Sequence, residues 1–122
     1  MFRVLFGAPL ILALGLSLSL PAVAQLNSVT RGGLELTTDD WEMLETAAAK
    51  LYEPEEAQVG AVETWSNAES GNEGRIELLQ TGQYQGMPCR KLQHEIRVKN
   101  VSDPFRFTID RCKTPDGAWK IL

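Results

Sequence analysis

The sequence predicts an α+β domain in which one N-terminal amphipathic helix packs on an antiparallel sheet of about four to five strands. Three observations predict this class: an early apolar periodicity of helical spacing, later alternation of apolar and polar residues, and two cysteines that face each other when the last long strands pair. A helix followed by a run of strands is typical of α+β domains, because the two kinds of element are segregated along the chain.

The helix is indicated by its start signal and by its apolar stripe. Residues 36–42 supply hydroxyl and carboxyl caps, and they place acids where the helix dipole is positive. Pro54 biases the residue before it away from helical geometry, so we expect the helix to end near Tyr52. The stripe that should face the sheet consists of Trp41, Leu44, Ala47, Ala48 and Leu51.

Strand pairing is most specific in the last third of the chain. When Cys89 is placed opposite Cys112, apolar pairs fall on one face and opposite charges on the other, which is the arrangement that stabilises antiparallel strands. This agreement predicts a disulfide-linked hairpin. The pairs are Leu92–Ile109, His94–Phe107 and Ile96–Phe105 on the apolar face, and Lys91–Asp110 and Glu95–Arg106 on the polar face.

The remaining strands are shorter. We expect a first hairpin between residues 61–65 and 75–79, with a turn region over 66–74, and a loop over 80–88. The tip of the long hairpin is predicted within 99–102. A tight turn at Pro115-Asp116-Gly117 should then lead into a final strand over 119–122.

The N-terminus is typical of a signal peptide over residues 1–24. Arg3 precedes an uncharged apolar run over 4–20, and Ala22-Val23-Ala24 matches a cleavage signature. A retained anchor helix is the alternative, because the apolar run approaches membrane-spanning length. After cleavage we expect a flexible lead-in over 25–35, one α+β domain over 36–122, and no transmembrane segment.

Charge and cysteines narrow the class of protein. The net charge of −4 argues against nucleic acid as a partner. Two cysteines in a small exported domain favour a disulfide between Cys89 and Cys112. The chain lacks a C-x-x-C motif and has a single histidine, which argues against a redox or zinc site.

Acidic residues concentrate over 35–77, whereas basic residues dominate from residue 78 onward. This asymmetry has two interpretations: complementarity within the fold, or a basic sheet surface that faces anions. The predicted register sets Arg90 opposite Arg111, and such a pair needs either an internal carboxylate or an external anion. A buried Arg–Glu contact would favour the first. The other candidates for contact with an envelope protein, glycan or lipid headgroup are Lys91, Arg97 and Lys99.

No catalytic constellation is recognisable in the sequence. The phosphate-binding, zinc-protease, nucleophile-elbow and EF-hand patterns do not occur. The predicted register places His94 on the apolar face, which favours a core role over a general base. Neighbouring carboxylates such as Asp39 and Asp40 do not face each other on a helix. We therefore expect no enzyme, no cofactor and no metal site.

Four short motifs follow one another over residues 38–122. They are Trp65-x-Asn67, Ser70-Gly71-Asn72-x-Gly74, Gly86-x-x-Cys89-Arg90, and Cys112-x-x-Pro115-Asp116-Gly117-x-Trp119-x-Ile121. Together they resemble the C-terminal domain of the rickettsial-type seventeen-kilodalton surface antigens of the bacterial envelope. The resemblance implies structural roles for Trp65, Asn67, Gly71, Gly74, Asp116, Gly117 and Trp119.

The chain departs from that family pattern in several places. It lacks the lipid-anchoring cysteine after the signal and the glycine-zipper segment that family members commonly carry. Lys113 stands where the family usually repeats Cys-Arg, and the hairpin tip at Asn100-Val101 is not a glycine turn.

These observations lead to one functional hypothesis and two alternatives. The first is an exported, non-catalytic structural or binding module in the periplasm or at the outer membrane of a Gram-negative-type envelope. The second is a periplasmic inhibitor that docks on an envelope hydrolase, which requires residues 66–74 or the hairpin tip to protrude. The third is a small envelope enzyme.

Overall fold

The structure is a computed structural model that describes residues 29–31 and 34–122. The five described strands that follow the helix form one antiparallel sheet in chain order, and the two that precede it form a separate two-stranded sheet. The predicted signal peptide lies outside the described residues. The elements are β1 (Val29–Arg31), β2 (Leu34–Leu36), α1 (Thr38–Tyr52), β3 (Val62–Asn67), β4 (Asn72–Tyr84), β5 (Met87–Arg97), β6 (Phe105–Lys113) and β7 (Trp119–Ile121).

Helix α1 begins and ends where the sequence predicts. Thr37 is the N-cap, and its hydroxyl accepts a 3.0 Å hydrogen bond from the backbone N–H of Asp40. The Asp40 carboxylate accepts one of 3.0 Å from the backbone N–H of Thr37 in return. This reciprocal pair is a capping box, which satisfies two amides that the first turn would otherwise leave unpaired. The helix ends at Tyr52, two residues before Pro54.

The core lies between α1 and one face of the five-stranded sheet. Leu44 and Ala48 are fully buried, whereas Trp41 is only half-buried at the edge of the stripe. The fully buried aliphatic side chains of the sheet come from β4 and β5 and are Ile76, Leu78, Leu92 and Ile96. Because polar residues alternate with them, the opposite sheet face is open to solvent.

The register of the long hairpin is confirmed. The pairs from Cys89↔Cys112 to Ile96↔Phe105 are those predicted, and a disulfide joins the two cysteines. Both predicted charge pairs are also formed. Lys91 Nζ lies 3.0 Å from Asp110 Oδ1, and Arg106 Nη2 lies 2.6 Å from Glu95 Oε2.

The predicted loop over 80–88 is wrong. Strand β4 continues to Tyr84, and only Gln85 and Gly86 separate it from β5. Both turn residues have positive φ, 50° and 80°, as a type I′ hairpin turn requires. Residues 80–86 are all exposed, so they lack the alternation of apolar and polar residues that indicates a strand. Gly82 also favoured a loop over a strand. The predicted turn over 66–74 is similarly shorter, because Asn67 pairs with Asn72.

In the span predicted as a flexible lead-in, 25–35, residues 25–28, 32 and 33 lie outside the described residues. Residues Val29–Arg31 and Leu34–Leu36 pair as an antiparallel hairpin. Leu34 and Leu36 are each 3% exposed and belong to the apolar core, with Glu35 pointing outward between them. Two leucines at alternate positions are too short a pattern to be recognised before the core that receives them is known.

Within the described ranges, no helix has both the length and the apolar character needed to cross a membrane.

Candidate functional site

The most connected polar residue of the described chain is Asp40, whose side chain is fully buried. Its Oδ1 accepts hydrogen bonds from Asn67 Nδ2 at 2.8 Å and from Ser70 Oγ at 2.7 Å. Its Oδ2 accepts from Asn72 Nδ2 at 2.8 Å and from the Thr37 backbone N–H. Four donors thus converge on one carboxylate, which is the full complement that its two oxygens commonly accept.

The donors favour the charged form of this carboxylate. Burial alone raises the pKa of Asp40, but the hydrogen bonds from Thr37, Asn72, Ser70 and Asn67 outweigh it and hold the pKa below its usual value. A buried carboxylate that accepts four hydrogen bonds stays ionised without a cation beside it. Its arrangement suits holding the fold together rather than exchanging protons.

The two asparagine donors also make second contacts that extend the network. Asn67 Oδ1 accepts from the backbone N–H of Glu69 at 3.0 Å, and Asn72 Oδ1 accepts from that of Lys99 at 2.9 Å. Through Asp40, the start of α1 is therefore tied to the β3–β4 turn and to the β5–β6 connection. This network explains why asparagine and serine stand in the Trp65-x-Asn67 and Ser70-Gly71-Asn72 motifs.

Glycines of the same motifs allow close approach. A Cβ built on Gly74 would overlap the indole ring of Trp65, which packs directly over that position. Gly71 has a φ of 79° and lies against the side chain of Lys99. The structural roles that the resemblance implies for Trp65, Asn67, Gly71 and Gly74 therefore have a physical basis in this chain.

Arg111 is almost fully buried and has an internal partner. Its Nη2 lies 2.5 Å from Glu45 Oε1 on α1, and its guanidinium lies 4.7 Å from the ring centroid of Tyr52. Of the two interpretations of the arginine pair, the structure shows the internal carboxylate for this residue. The acidic helix and the basic sheet are complementary here.

Arg90 faces Arg111 in the register and is held by backbone oxygens. Its guanidinium donates to the carbonyls of Pro54 at 3.3 Å, Glu55 at 3.4 Å and Cys89 at 3.1 Å. It also lies 5.3 Å from the ring centroid of Trp119. Because the carbonyls of Pro54 and Glu55 follow the end of α1, Arg90 ties the end of the helix to the sheet.

The predicted basic row divides into paired and unpaired cations. Lys91 is bound to Asp110 across the hairpin. Within the described chain, Arg97 and Lys99 are exposed and make no ion pair. Arg97 lines a depression of about 530 Å³ on the open face of the sheet, and the other side chains that carry charge there are Glu73, Arg75 and Glu95.

His94 is fully buried and its ring stacks on Phe107, with centroids 5.1 Å apart and 7° between the planes. Neither ring nitrogen makes a hydrogen bond to the part of the chain that the structure describes. Burial, and secondly the positive charge of Arg111, lower the pKa of His94 from 6.5 to about 4. A neutral imidazole in the core has no path to a substrate.

The last motif builds the turn before β7. Asp116 Oδ1 accepts hydrogen bonds from the Thr114 hydroxyl and from the backbone N–H of Ala118. These two hydrogen bonds lower the pKa of Asp116. Gly117 has a φ of 93°, and Trp119 contacts Tyr52 with ring centroids 5.4 Å apart. The motif therefore shapes a turn and brings an aromatic side chain to the helix.

The Asp40 network is not evident from the sequence. Asp39 and Asp40 are both acids at the helix start, suited to capping or solvation, whereas in the structure Asp40 is buried and Asp39 is exposed. The feature of the sequence that indicates the network is the group of polar residues Asn67, Ser70 and Asn72. Their amide and hydroxyl groups are hydrogen-bond donors, and all three donate to Asp40. Across the described residues, no three His, Cys, Asp or Glu side chains group closely enough to hold a metal ion.

Comparisons of this chain with protein-family models, with curated proteins and with solved structures found no match.

Proposed function

We propose that this chain is an exported, non-catalytic module of a Gram-negative-type cell envelope, and that it acts by binding a partner. The disulfide between Cys89 and Cys112 supports export, because such bonds persist in oxidising compartments. The signal-like residues 1–24 and the resemblance to the surface antigens support the same location.

The observation that carries the proposal is the use of the buried polar side chains. The two carboxylate oxygens of Asp40 accept hydrogen bonds from four donors of the fold. Arg111 forms an ion pair with Glu45, and the buried His94 stacks on Phe107. Groups that an enzyme would direct at a substrate are here directed at other parts of the fold. A role in recognition through the surface follows more naturally than a role in bond chemistry.

The open sheet face around Arg97 is the surface that we assign to the partner. Its charges alternate in sign along the cross-strand rows, as in Arg75–Glu95–Arg106. A mixed-charge surface suits a protein or a glycan, because these offer hydroxyls, amides and charges of both signs. A lipid headgroup would be held mainly through Arg97 and Lys99.

Fractionation with crosslinking in the native cell tests this proposal. We expect the chain in the envelope or periplasmic fraction, crosslinked to a partner. Arg97→Glu should abolish that crosslinked species, whereas Lys120→Glu, the same charge change on the exposed β7, should preserve it. Reproducible turnover of an envelope substrate that one point mutation abolishes would contradict a non-catalytic role.

A second candidate function, inhibition of an envelope hydrolase, is favoured by one observation. The arm formed by residues 80–86 is exposed along its whole length, and Tyr84 near its tip is 50% exposed. The region first expected to protrude, residues 66–74, is instead held against α1 through Asp40. If inhibition occurs, Tyr84→Asp should relieve it in an assay of hydrolase activity, and Lys120→Glu should not.

A further inference from the structure

Among the described residues, the outer edge of β6 is only partly covered. Strand β7 pairs with Arg111 to Lys113, and the backbone N–H of Leu122 donates to the Asp110 carbonyl at 3.0 Å. Beyond that point, residues Phe105 to Ile109 pair with β5 on one side and with no described strand on the other.

The backbone groups that point out of this edge can be identified from the pairing geometry. The Cα atoms of Cys89 and Cys112 are 4.1 Å apart, which is the short separation of a non-hydrogen-bonded pair. The backbone of Cys112 therefore points away from β5. The direction of the backbone N–H and C=O groups alternates along a strand. The backbone groups of Arg106, Thr108 and Asp110 therefore also point away from β5. The Leu122–Asp110 hydrogen bond agrees with that assignment.

This edge lacks the features with which proteins protect exposed strands. Lysine, proline, a bulge or a very short edge commonly prevents pairing with another chain. The stretch 105–109 has no lysine, proline or glycine, and its one charge, on Arg106, is bound to Glu95 at 2.6 Å. Two residues, Arg106 and Thr108, thus offer backbone donors and acceptors without protection.

One face of the same edge is apolar. Phe105, Phe107 and Ile109 are half-buried and border a groove of about 400 Å³. The groove lies between β6 and the helix, and Leu34, Trp41 and the exposed Ile121 complete its apolar lining. An added strand would therefore gain apolar contacts as well as backbone hydrogen bonds.

We propose that a second copy of this chain occupies the edge, with the two β6 strands antiparallel about a two-fold axis at Phe107. The outward backbone of Arg106 then pairs with that of Thr108 of the second copy, and the reverse. On the groove face, Phe107 meets its own counterpart and Phe105 meets Ile109. The two sheets become one continuous sheet across the dimer.

The choice of a second copy rests on self-complementarity. The unpaired stretch 105–109 ends at Pro104 on one side and at the Leu122–Asp110 hydrogen bond on the other. The strand that one copy presents therefore has the same length as the free edge of the other copy. The register that matches the outward backbone groups is also the one that matches apolar side chains. It sets Arg106 against the neutral Thr108, so no like charges face each other. Such a match of one patch with itself is the property of a two-fold interface.

The inference goes beyond the proposed function, because it concerns the strand edge and needs no partner at Arg97. A pairing of five residues from each copy is small beside a standard protein interface. We therefore expect a dimer that dissociates on dilution rather than an obligate one.

Two substitutions at one exposed position test the register. Thr108 is exposed on the open sheet face, so Thr108→Lys and Thr108→Glu should both fold. In the dimer, lysine there faces Arg106 of the second copy and glutamate there can pair with it. Sedimentation velocity over a concentration series of the purified full chain should show a monomer–dimer equilibrium. Thr108→Lys should weaken it at least about ten-fold, and Thr108→Glu should preserve or strengthen it.

Other outcomes would overturn the proposal. Equal dimerisation of the two variants would exclude this register. A wild-type chain that stays monomeric at every concentration would exclude the dimer, and amide hydrogen exchange would then identify the occupant of the edge. Slow exchange at Arg106 and Thr108 in that monomer would indicate another segment of the same chain, whereas fast exchange would indicate an open edge.

Discussion

Asp40 in the first turn of α1 and Asn72 at the start of β4 are joined by a 2.8 Å hydrogen bond across 32 positions of sequence. Both side chains are buried, and Asn67 and Ser70 reach the same carboxylate. The contact fixes the helix start on the sheet, and it accounts for the polar residues of two motifs that otherwise carry no evident chemistry.

Replacing this carboxylate should be costly. Asp40→Ala leaves two buried asparagine amides without their acceptor, so we expect the free energy of unfolding to fall by about 3 kcal/mol or more. Urea unfolding followed by circular dichroism measures the change. The control is Asp39→Asn, which removes an exposed carboxylate from the same turn and should cost less than about 1 kcal/mol. Equal effects of the two substitutions would contradict the role assigned to Asp40.

A methyl group at Gly74 should disturb the packing of Trp65. Gly74→Ala places a Cβ in steric overlap with the edge of the Trp65 indole, so either the strand or the ring must move, at a cost of about 1–3 kcal/mol. Gly82→Ala is the matched control, because a Cβ there has no atom within 4 Å. Tryptophan fluorescence and the urea midpoint report both effects. If Gly74→Ala were as stable as the control, the close approach would not be a constraint.

The buried histidine should make stability depend on pH. In the unfolded chain the imidazole of His94 has a pKa near 6.5. In the folded chain, burial and the charge of Arg111 lower the pKa of His94 to about 4. The free energy of unfolding should therefore fall as the pH drops from 6.5 to 4, by about 3 kcal/mol from this group, and the loss should level off below that range.

His94→Leu removes this dependence while retaining an apolar side chain against Phe107. Its free energy of unfolding should be nearly flat from pH 6.5 to 4, and wild type and variant should both lose stability at lower pH, where the Asp40 carboxylate is protonated. Thermal unfolding at a series of pH values measures both curves. Parallel curves for the two proteins above pH 4 would show that His94 is not the cause.

The ion pair between Arg111 and Glu45 predicts a specific response to anions. Glu45→Gln leaves the buried guanidinium without its carboxylate, and we expect a loss of about 1 kcal/mol, since Glu45 itself is half exposed. Sulfate should raise the melting temperature of this variant by more than that of wild type, because sulfate stabilises folded proteins in general and can also bind the guanidinium that has lost its carboxylate.

Glu42→Gln, which neutralises an exposed acid on the same helix, is the control for the sulfate experiment. It should behave like wild type at every sulfate concentration. Equal stabilisation of wild type and Glu45→Gln by sulfate would contradict a specific anion response of the Arg111 guanidinium.

The disulfide should be complete and stabilising. Titration of the unfolded, non-reduced chain should find no free thiol. The double substitution of Cys89 and Cys112 by serine should cost about 3 kcal/mol, as the closure of a loop across 23 positions predicts. Two reactive thiols would contradict both the bond and the hairpin register.

Several features were predictable from local sequence alone. The long-hairpin register followed from cross-strand pairs, because each strand carries its own alternation and a shift by one residue would reverse every side chain. The limits of α1 followed from its cap residues and Pro54, and the Asp116–Gly117 turn followed from residues whose backbone preferences act without the rest of the fold.

Other features depended on the tertiary structure, because they join residues whose sequence separation carries no pattern. The burial of Asp40 rather than Asp39, and the pairing of Arg111 with Glu45, are decided by how α1 lies on the sheet. Residues 80–84 and Leu34–Leu36 form strands only because a partner strand or the core stabilises them. An isolated short segment loses conformational entropy on ordering and gains no hydrogen bonds or apolar contacts to offset that loss. The sequence by itself thus determined the limits of α1, the register of the long hairpin and the turn before β7, and the packing of the helix decided which polar side chains were enclosed and which remained at the surface.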